Sequence, residues 1–425
     1  MLVVAEESSF DQTSQHHENV FVAHQKGIFS LIAYGHHLSE VTHDKNSMGN
    51  NMDSKLFSPI KLAGLELRNR TVLAPMCMYS AHDGTANDWH LMHIGQFAVS
   101  GLGLLIMEAT GVTPEGRITA GCLGLYSDEN EEGLARVVEF ARNYGNAPIG
   151  IQLAHAGRKA STDLPWAGGK PLQPDHEAGW QTVAPSAEPY ADGWHRPDAL
   201  DEKGLERIKQ AFVNATKRCI NIGFDLIELH FAHGYLFHQF LSPISNRRND
   251  QYGGSLENRM RFPLEVFDAV RAAWPKDKPL GARFSATDWV ASSSWDLEES
   301  KILAVELAKH GCDFVDVSSG GNSPAQQIEV GPGYQTGFAA AVKQASGLPT
   351  MAVGQITEAR QAESIIRTGQ ADMVALARGF LYNPRWVWHA AEQLGQEVAY
   401  APQYMRTSRA LRGMPIPGNP PAPKK

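Results

Sequence analysis

The segment Glu228-Leu-His230-Phe-Ala-His233-Gly-Tyr235 places two imidazoles and a phenol within eight residues, at the end of the apolar run Phe224-Asp-Leu-Ile-Glu-Leu229. That run reads as a buried strand. Two histidines three apart can donate two hydrogen bonds to one anionic or carbonyl oxygen, and a tyrosine two residues further on can deliver a proton nearby. Such a set suits reduction of a polarised double bond. The same spacing also suits a metal, with Glu228, His230 and His233 serving a metal-dependent barrel aldolase or hydrolase. Two purely structural histidines are the third reading, and the motif alone leaves all three open.

The elements that must position these residues repeat along the chain. Strand-like runs occur at Thr71–Met76, Leu104–Ala109, Ile149–Leu153, Phe224–Leu229, Leu280–Phe284, Phe314–Ser318, Thr350–Val353 and Met373–Leu376, with helical patterns between them. One such pattern, Lys203 to Asn221, keeps Leu205, Ile208, Phe212, Ala215 and Cys219 on one face. Eight βα units in one domain predict an α/β fold of the (β/α)₈ TIM-barrel type. A doubly wound sheet competes, but no Gly-x-Gly-x-x-Gly turn follows the first strand.

In such a barrel the carboxyl ends of the strands share one site. Gly321 and Gly354 after strands six and seven allow close backbone approach, and Arg378 after strand eight can fork onto phosphate oxygens. A sugar phosphate, pyridoxal phosphate or FMN would each suit that corner. The chain has 425 residues, 43% of them hydrophobic, and a net charge of −8, so small molecules are favoured over nucleic acid or membrane as partners. Its four cysteines, Cys77, Cys122, Cys219 and Cys312, form no Cys-x-x-Cys pair, which argues against a zinc ribbon or iron–sulfur cluster and suits a reducing cytoplasm. No apolar run approaches the roughly 18 to 20 residues that cross a bilayer. Residues 1–54 lack sustained periodicity and read as a loosely ordered extension, residues 55–409 as the barrel, and residues 410–425 as a flexible proline-rich tail.

Two longer strings are more specific. Ser245-Asn-Arg-Arg-Asn-Asp250-Gln-Tyr-Gly253-Gly254-Ser255-Leu-Glu-Asn258-Arg259-Met-Arg261-Phe262 is a charged loop with a glycine turn, ending in a helix that Ser255 is placed to cap. Together with Ala74-Pro-Met-Cys77-Met-Tyr79 it resembles the old yellow enzyme family of FMN-dependent ene-reductases, in the thermophilic-like and xenobiotic-reductase branch. The resemblance runs from about Leu56 to Arg409.

It implies FMN as bound cofactor and NADPH or NADH as hydride donor, with enones, and also nitro compounds or other xenobiotics, as acceptors. Carried over residue by residue, Pro75, Met76, Cys77, Ala109, Gln152 and Arg283 hold the flavin ring, while Gly321, Gly354, Ala377 and Arg378 serve its phosphate. His230 and His233 bind the substrate oxygen rather than a metal, Tyr235 gives the proton, and Cys77 tunes reactivity. Tyr79 and Lys159 line the substrate side, and Arg406 reaches a neighbouring subunit's site, which implies a homo-oligomer, dimer or tetramer. The chain departs from the pattern in having Ala377 where glycine is usual before Arg378, and a serine-rich loop at Ala286–Trp295.

Overall fold

The eight apolar runs pair as neighbours in chain order, because each is followed by a helix that returns the chain to the same end of the sheet. A computed structural model describes residues 53–408. Its barrel strands are β1 (Thr71–Leu73), β2 (Leu104–Gly111), β3 (Ile149–Ala154), β4 (Leu226–Phe231), β5 (Leu280–Ser285), β6 (Phe314–Ser318), β7 (Thr350–Ala352) and β8 (Met373–Leu376). All pairs are parallel, and β8 closes on β1. This is the expected TIM barrel.

Three strands depart from the sequence reading by two residues or more, each for a local reason. β1 stops at Leu73 because Pro75 has no N–H to continue the ladder, although Ala74 N still donates to Leu376 O at 3.0 Å. β2 runs on to Gly111 across a register shift between Met107 and Ala109, which leaves Glu108 unpaired in the ladder and brings its carboxylate to 3.6 Å from His90 Nε2. β4 begins two residues late. Gly223 sits in the left-handed conformation (φ +92) at the end of the preceding helix, and Phe224 N is spent on Cys219 O. The strand therefore extends to Phe231 and carries His230 inside it.

The helices form the outer layer: α1 (Asp88–Ala98), α2 (Asp128–Tyr144), α3 (Glu202–Ile222), α4 (Leu256–Ala273), α5 (Leu297–Lys309), α6 (Thr336–Ser346), α7 (Ala359–Arg367) and α8 (Trp386–Gln393). In α3, Leu205, Ile208, Phe212, Ala215 and Cys219 are all buried, as their spacing predicts. Ser255 caps α4 by accepting from Asn258 N at 3.3 Å. An antiparallel hairpin, Ile60–Leu62 with Leu65–Leu67, plugs the amino end of the barrel. Its Leu62 and Leu67 pack with Leu104, Leu226, Phe314, Met351 and Met373. Most of the expected extension 1–54 and the whole of the tail 410–425 lie outside the described residues. Among the described residues no helix is long and apolar enough to cross a membrane.

Candidate functional site

At the carboxyl ends of β4, β5 and β6, His230 points into the barrel two residues beyond Glu228. The chain then turns sharply: His233 adopts φ +61 and Gly234 φ +74. The turn is pressed against the loop after β6, since a Cβ on Gly321 would lie 2.6 Å from the His233 backbone. His230 and His233 meet edge to face, with His233 Nδ1 3.3 Å from His230 Nε2. His233 Nε2 lies 2.7 Å from Ser318 Oγ. When that hydroxyl donates, the neutral His233 ring carries its proton on Nδ1, beside the nitrogen that His230 contributes. A neutral His230 protonated on Nε2 would add a second N–H aimed at the same small region, which is how a single substrate oxygen is gripped.

Both imidazoles are held well below their usual pKa, first by burial and next by the Arg283 cation, so they donate hydrogen bonds as neutral rings. Tyr235 stands 5.1 Å from the His230 ring. Burial pushes its pKa well above the usual value, so its hydroxyl keeps a proton at any physiological pH. Lys159 Nζ donates to His233 O (2.8 Å) and Gly321 O (2.7 Å) and lies over the rings of Tyr190 and Tyr235. Burial lowers this ammonium to about 7, with Arg158 adding to the effect.

Below this pair lies a layer of buried polar groups. Gln152 Nε2 donates to Glu228 Oε1 at 2.7 Å, leaving Glu228 Oε2 without a hydrogen bond. Burial, with Asp316 adding to it, pushes the fully buried Glu228 carboxyl up to about 8. Arg283 Nε lies 3.1 Å from Asp316 Oδ2, but its N–H is not aimed at that oxygen. The guanidinium makes no hydrogen bond among the described residues, and buried donors of this kind are ordinarily satisfied.

The phosphate-like corner has a matching shape. A cavity of about 450 Å³ is lined by His233, Arg283, Tyr334, Gly354, Ala377 and Arg378. Gly354 adopts φ +125, which L side chains rarely adopt, and a Cβ there would lie 3.0 Å from Gln335 Nε2. Arg378 is exposed at the rim and forms no hydrogen bond or ion pair among the described residues. The Arg283 guanidinium without a hydrogen bond, the unpaired Arg378, the Gln152 amide and the glycine wall fit an FMN whose phosphate Arg378 would hold. Gly321 is placed differently. It does not line this cavity, its N–H is taken by Gln326 Oε1 at 2.6 Å, and its carbonyl by Lys159.

Cys77 is half-buried, and Ala109 pairs with Gln152 across β2 and β3. Pro75 and Met76 lead into this corner from β1, and Met78 N donates to Glu108 Oε2 at 3.1 Å. Tyr79 (φ +51) packs against Trp166, ring centroids 6.1 Å apart. Arg406 is exposed in the turn Pro402–Thr407, whose Tyr404 packs on Trp388 of α8. Sequence reasoning passed over Asp316, Ser318, Gln335 and Tyr190. Asp316 was the visible one: a charge in the middle of the run Phe-Val-Asp-Val-Ser.

The geometry gives the metal reading little to build on. The two facing imidazole nitrogens are spent on one another or on a shared acceptor, His233 Nε2 is on Ser318, and no group of three or more His, Cys, Asp or Glu side chains suited to a metal occurs among the described residues.

Residues 55–397 match the model of the NADH:flavin oxidoreductase / NADH oxidase family. The chain is 43% identical over 357 residues to an NADPH dehydrogenase of Geobacillus sp., covering 84% of this chain and 99% of that protein. It is 45% identical over 366 residues to an NADH:flavin oxidoreductase of Gibberella zeae, covering 82% and 88%. Among solved structures it resembles morphinone reductase in complex with tetrahydroNAD, with a TM-score of 0.66 and 30% identity over 81% of this chain and 92% of that one.

Proposed function

This chain belongs to the NADH:flavin oxidoreductase / NADH oxidase family, FMN-dependent enzymes of the NADPH dehydrogenase type, and we propose that it reduces activated C=C bonds, enones first and nitro compounds or other xenobiotics as further acceptors. The observation that carries this reading is the meeting of His230 Nε2 and His233 Nδ1 at 3.3 Å in rings kept neutral by burial. Such donors polarise a carbonyl without protonating it, which drains electron density from a conjugated double bond.

When bound, FMN supplies two-electron hydride transfer between nicotinamide and acceptor. The chain's residues supply the rest. Gln152 and Arg283 would hold the ring, and the Arg283 cation would favour negative charge on it. Gly354, Ala377 and Arg378 would take the phosphate, and Pro75, Met76, Cys77 and Ala109 would help hold the ring. Tyr235 O–H delivers the proton to substrate carbon, and Lys159 steadies the His233 turn through two carbonyls. Tyr79 lines the substrate mouth. In a dimer or tetramer Arg406 extends into a neighbouring subunit's mouth, and the cytoplasm is the setting for this chemistry.

The test separates two half-reactions. In Tyr235→Phe, bleaching of the flavin by NADPH should stay near normal, while reoxidation by cyclohexenone slows by roughly 10²- to 10⁴-fold, the usual worth of a positioned acid. Equal slowing of both phases would mean that Tyr235 only shapes the site. An unchanged second phase would assign the proton to water.

A further inference from the structure

Cys77 and Cys122 are 45 residues apart in sequence, yet their side chains lie close enough for each thiol to shift the other's pKa, Cys77 upward and Cys122 downward. The contact is built into the backbone. Ala81 N donates to Gly121 O at 2.8 Å, and a Cβ on Gly121 would fall 2.4 Å from Tyr79 O, so segments 77–81 and 119–122 run in direct contact. Thr119 fixes the second sulfur, with its N at 3.4 Å and its Oγ1 at 3.5 Å from Cys122 Sγ. Cys77 is half-buried at the flavin side of the barrel mouth, whereas Cys122 is 1% exposed behind it. Cys219 and Cys312 lie buried elsewhere.

We propose that Cys77 and Cys122 are a redox-active pair that hydrogen peroxide converts reversibly to an intramolecular disulfide at the edge of the flavin site.

The chemistry balances. The Cys122 thiolate attacks one oxygen of hydrogen peroxide, breaking the O–O bond to give a sulfenic acid and hydroxide. The Cys77 sulfur then attacks that sulfenic sulfur and expels a second hydroxide. The two thiol protons convert the hydroxides to water, so two thiols and one peroxide yield one disulfide and two waters. The neighbouring Cys77 thiol lowers the Cys122 thiol to about 7, which favours the thiolate that starts the sequence. Closure would join the loop after β1 to the loop after β2, and a flavin seated against Cys77 would sense it.

The test uses full-length, FMN-saturated protein treated with hydrogen peroxide, and thiol count and mass are read without turnover. Titration of the unfolded product should find two thiols in place of the four in the sequence. The intact mass should fall by about 2 Da, dithiothreitol should reverse both, and non-reducing peptide mapping should join Cys77 to Cys122. In Cys122→Ser the mass loss should vanish, and in Cys77→Ser, which lacks the resolving sulfur, Cys122 should instead gain oxygen atoms stepwise. Four surviving thiols, oxygen addition without linkage in the wild-type protein, or linkage through any other pair would overturn the proposal. The wild-type spectrum decides alone if either variant does not fold.

Discussion

At the amino end of the barrel interior, Leu104, Leu226, Phe314, Met351 and Met373 fill space against the hairpin leucines. Two residues further along two of these strands, at the same inward positions, stand Glu228 and Asp316, and two residues beyond those stand His230 and Ser318. β5 repeats the change, from Gly281 to Arg283 to Ser285. Because inward positions recur every second residue, one strand packs the floor with its first residues and does chemistry with its last. The floor is held by burial alone. The upper layer consists of groups that cost free energy to bury, and three devices keep that cost down: Gln152 on Glu228, Arg283 beside Asp316, and imidazoles that give up their charge.

The strongest way to break this contrast is to cut the floor. Phe314 is fully buried, and its ring occupies the space above Gly281, where a Cβ would lie 2.4 Å from it. Phe314→Ala should cost about 3 to 5 kcal/mol of stability, read by urea denaturation, while FMN affinity of the folded fraction holds. Asp316→Asn, one turn of the pleat higher, should do the reverse and change the flavin midpoint potential with little loss of stability. If both variants shift affinity and stability together, floor and mouth are one unit.

Arg283 tests whether the upper layer needs its cation. Arg283→Met keeps much of the stem volume and removes the charge, so FMN should bind more weakly by about 1.5 to 3 kcal/mol, the worth of hydrogen bonds from a charged donor. Equilibrium dialysis at several salt concentrations would measure it. Retained affinity would place the ring's anionic edge elsewhere. The same variant should raise the already high Glu228 and Asp316 pKa values further, because both carboxyls lose the opposing charge.

Why was so much of this visible beforehand, and some of it not? Parallel strands covered on both faces are continuous apolar runs, so all eight stood out, and Gly354 and Arg378 could be assigned to one corner from topology alone. The two-residue displacement of β4 was hidden because it depends on Phe224 N closing the end of α3, a contact between elements rather than a pattern within one. Pairings across strands, such as Asp316 with Arg283 or Ser318 with His233, are likewise set by register and leave no trace in local spacing. The loop that carried the family resemblance works as scaffold. Arg248 binds Asp250 and the carbonyls of Pro185 and Leu200, Arg259 binds Glu299 and Leu241 O, and Asn246 ties Phe240 O to Tyr252 O. A string can therefore identify a family through residues that never face the cofactor.

The subtlest probe concerns the proton on Glu228. Its folded pKa of about 8 lies above the ordinary carboxylate value of 4.5, so between those limits the folded protein holds a proton that the unfolded chain has released. Stability must then fall as pH rises through that window and level off above it, since the native state alone binds the extra proton. Glu228→Gln retains an oxygen to accept from Gln152 Nε2 but cannot titrate, so this component of the decline should be missing from the variant. The difference between the two denaturation curves, both at saturating FMN, should widen from pH 5 to pH 8, by an amount on the order of 1 kcal/mol after relaxation around the buried site. Above pH 8 the gap should stay constant. Parallel curves across the whole range would mean that Glu228 is ionised throughout, held by Arg283, and that the upper layer manages its charges by pairing rather than by neutralisation.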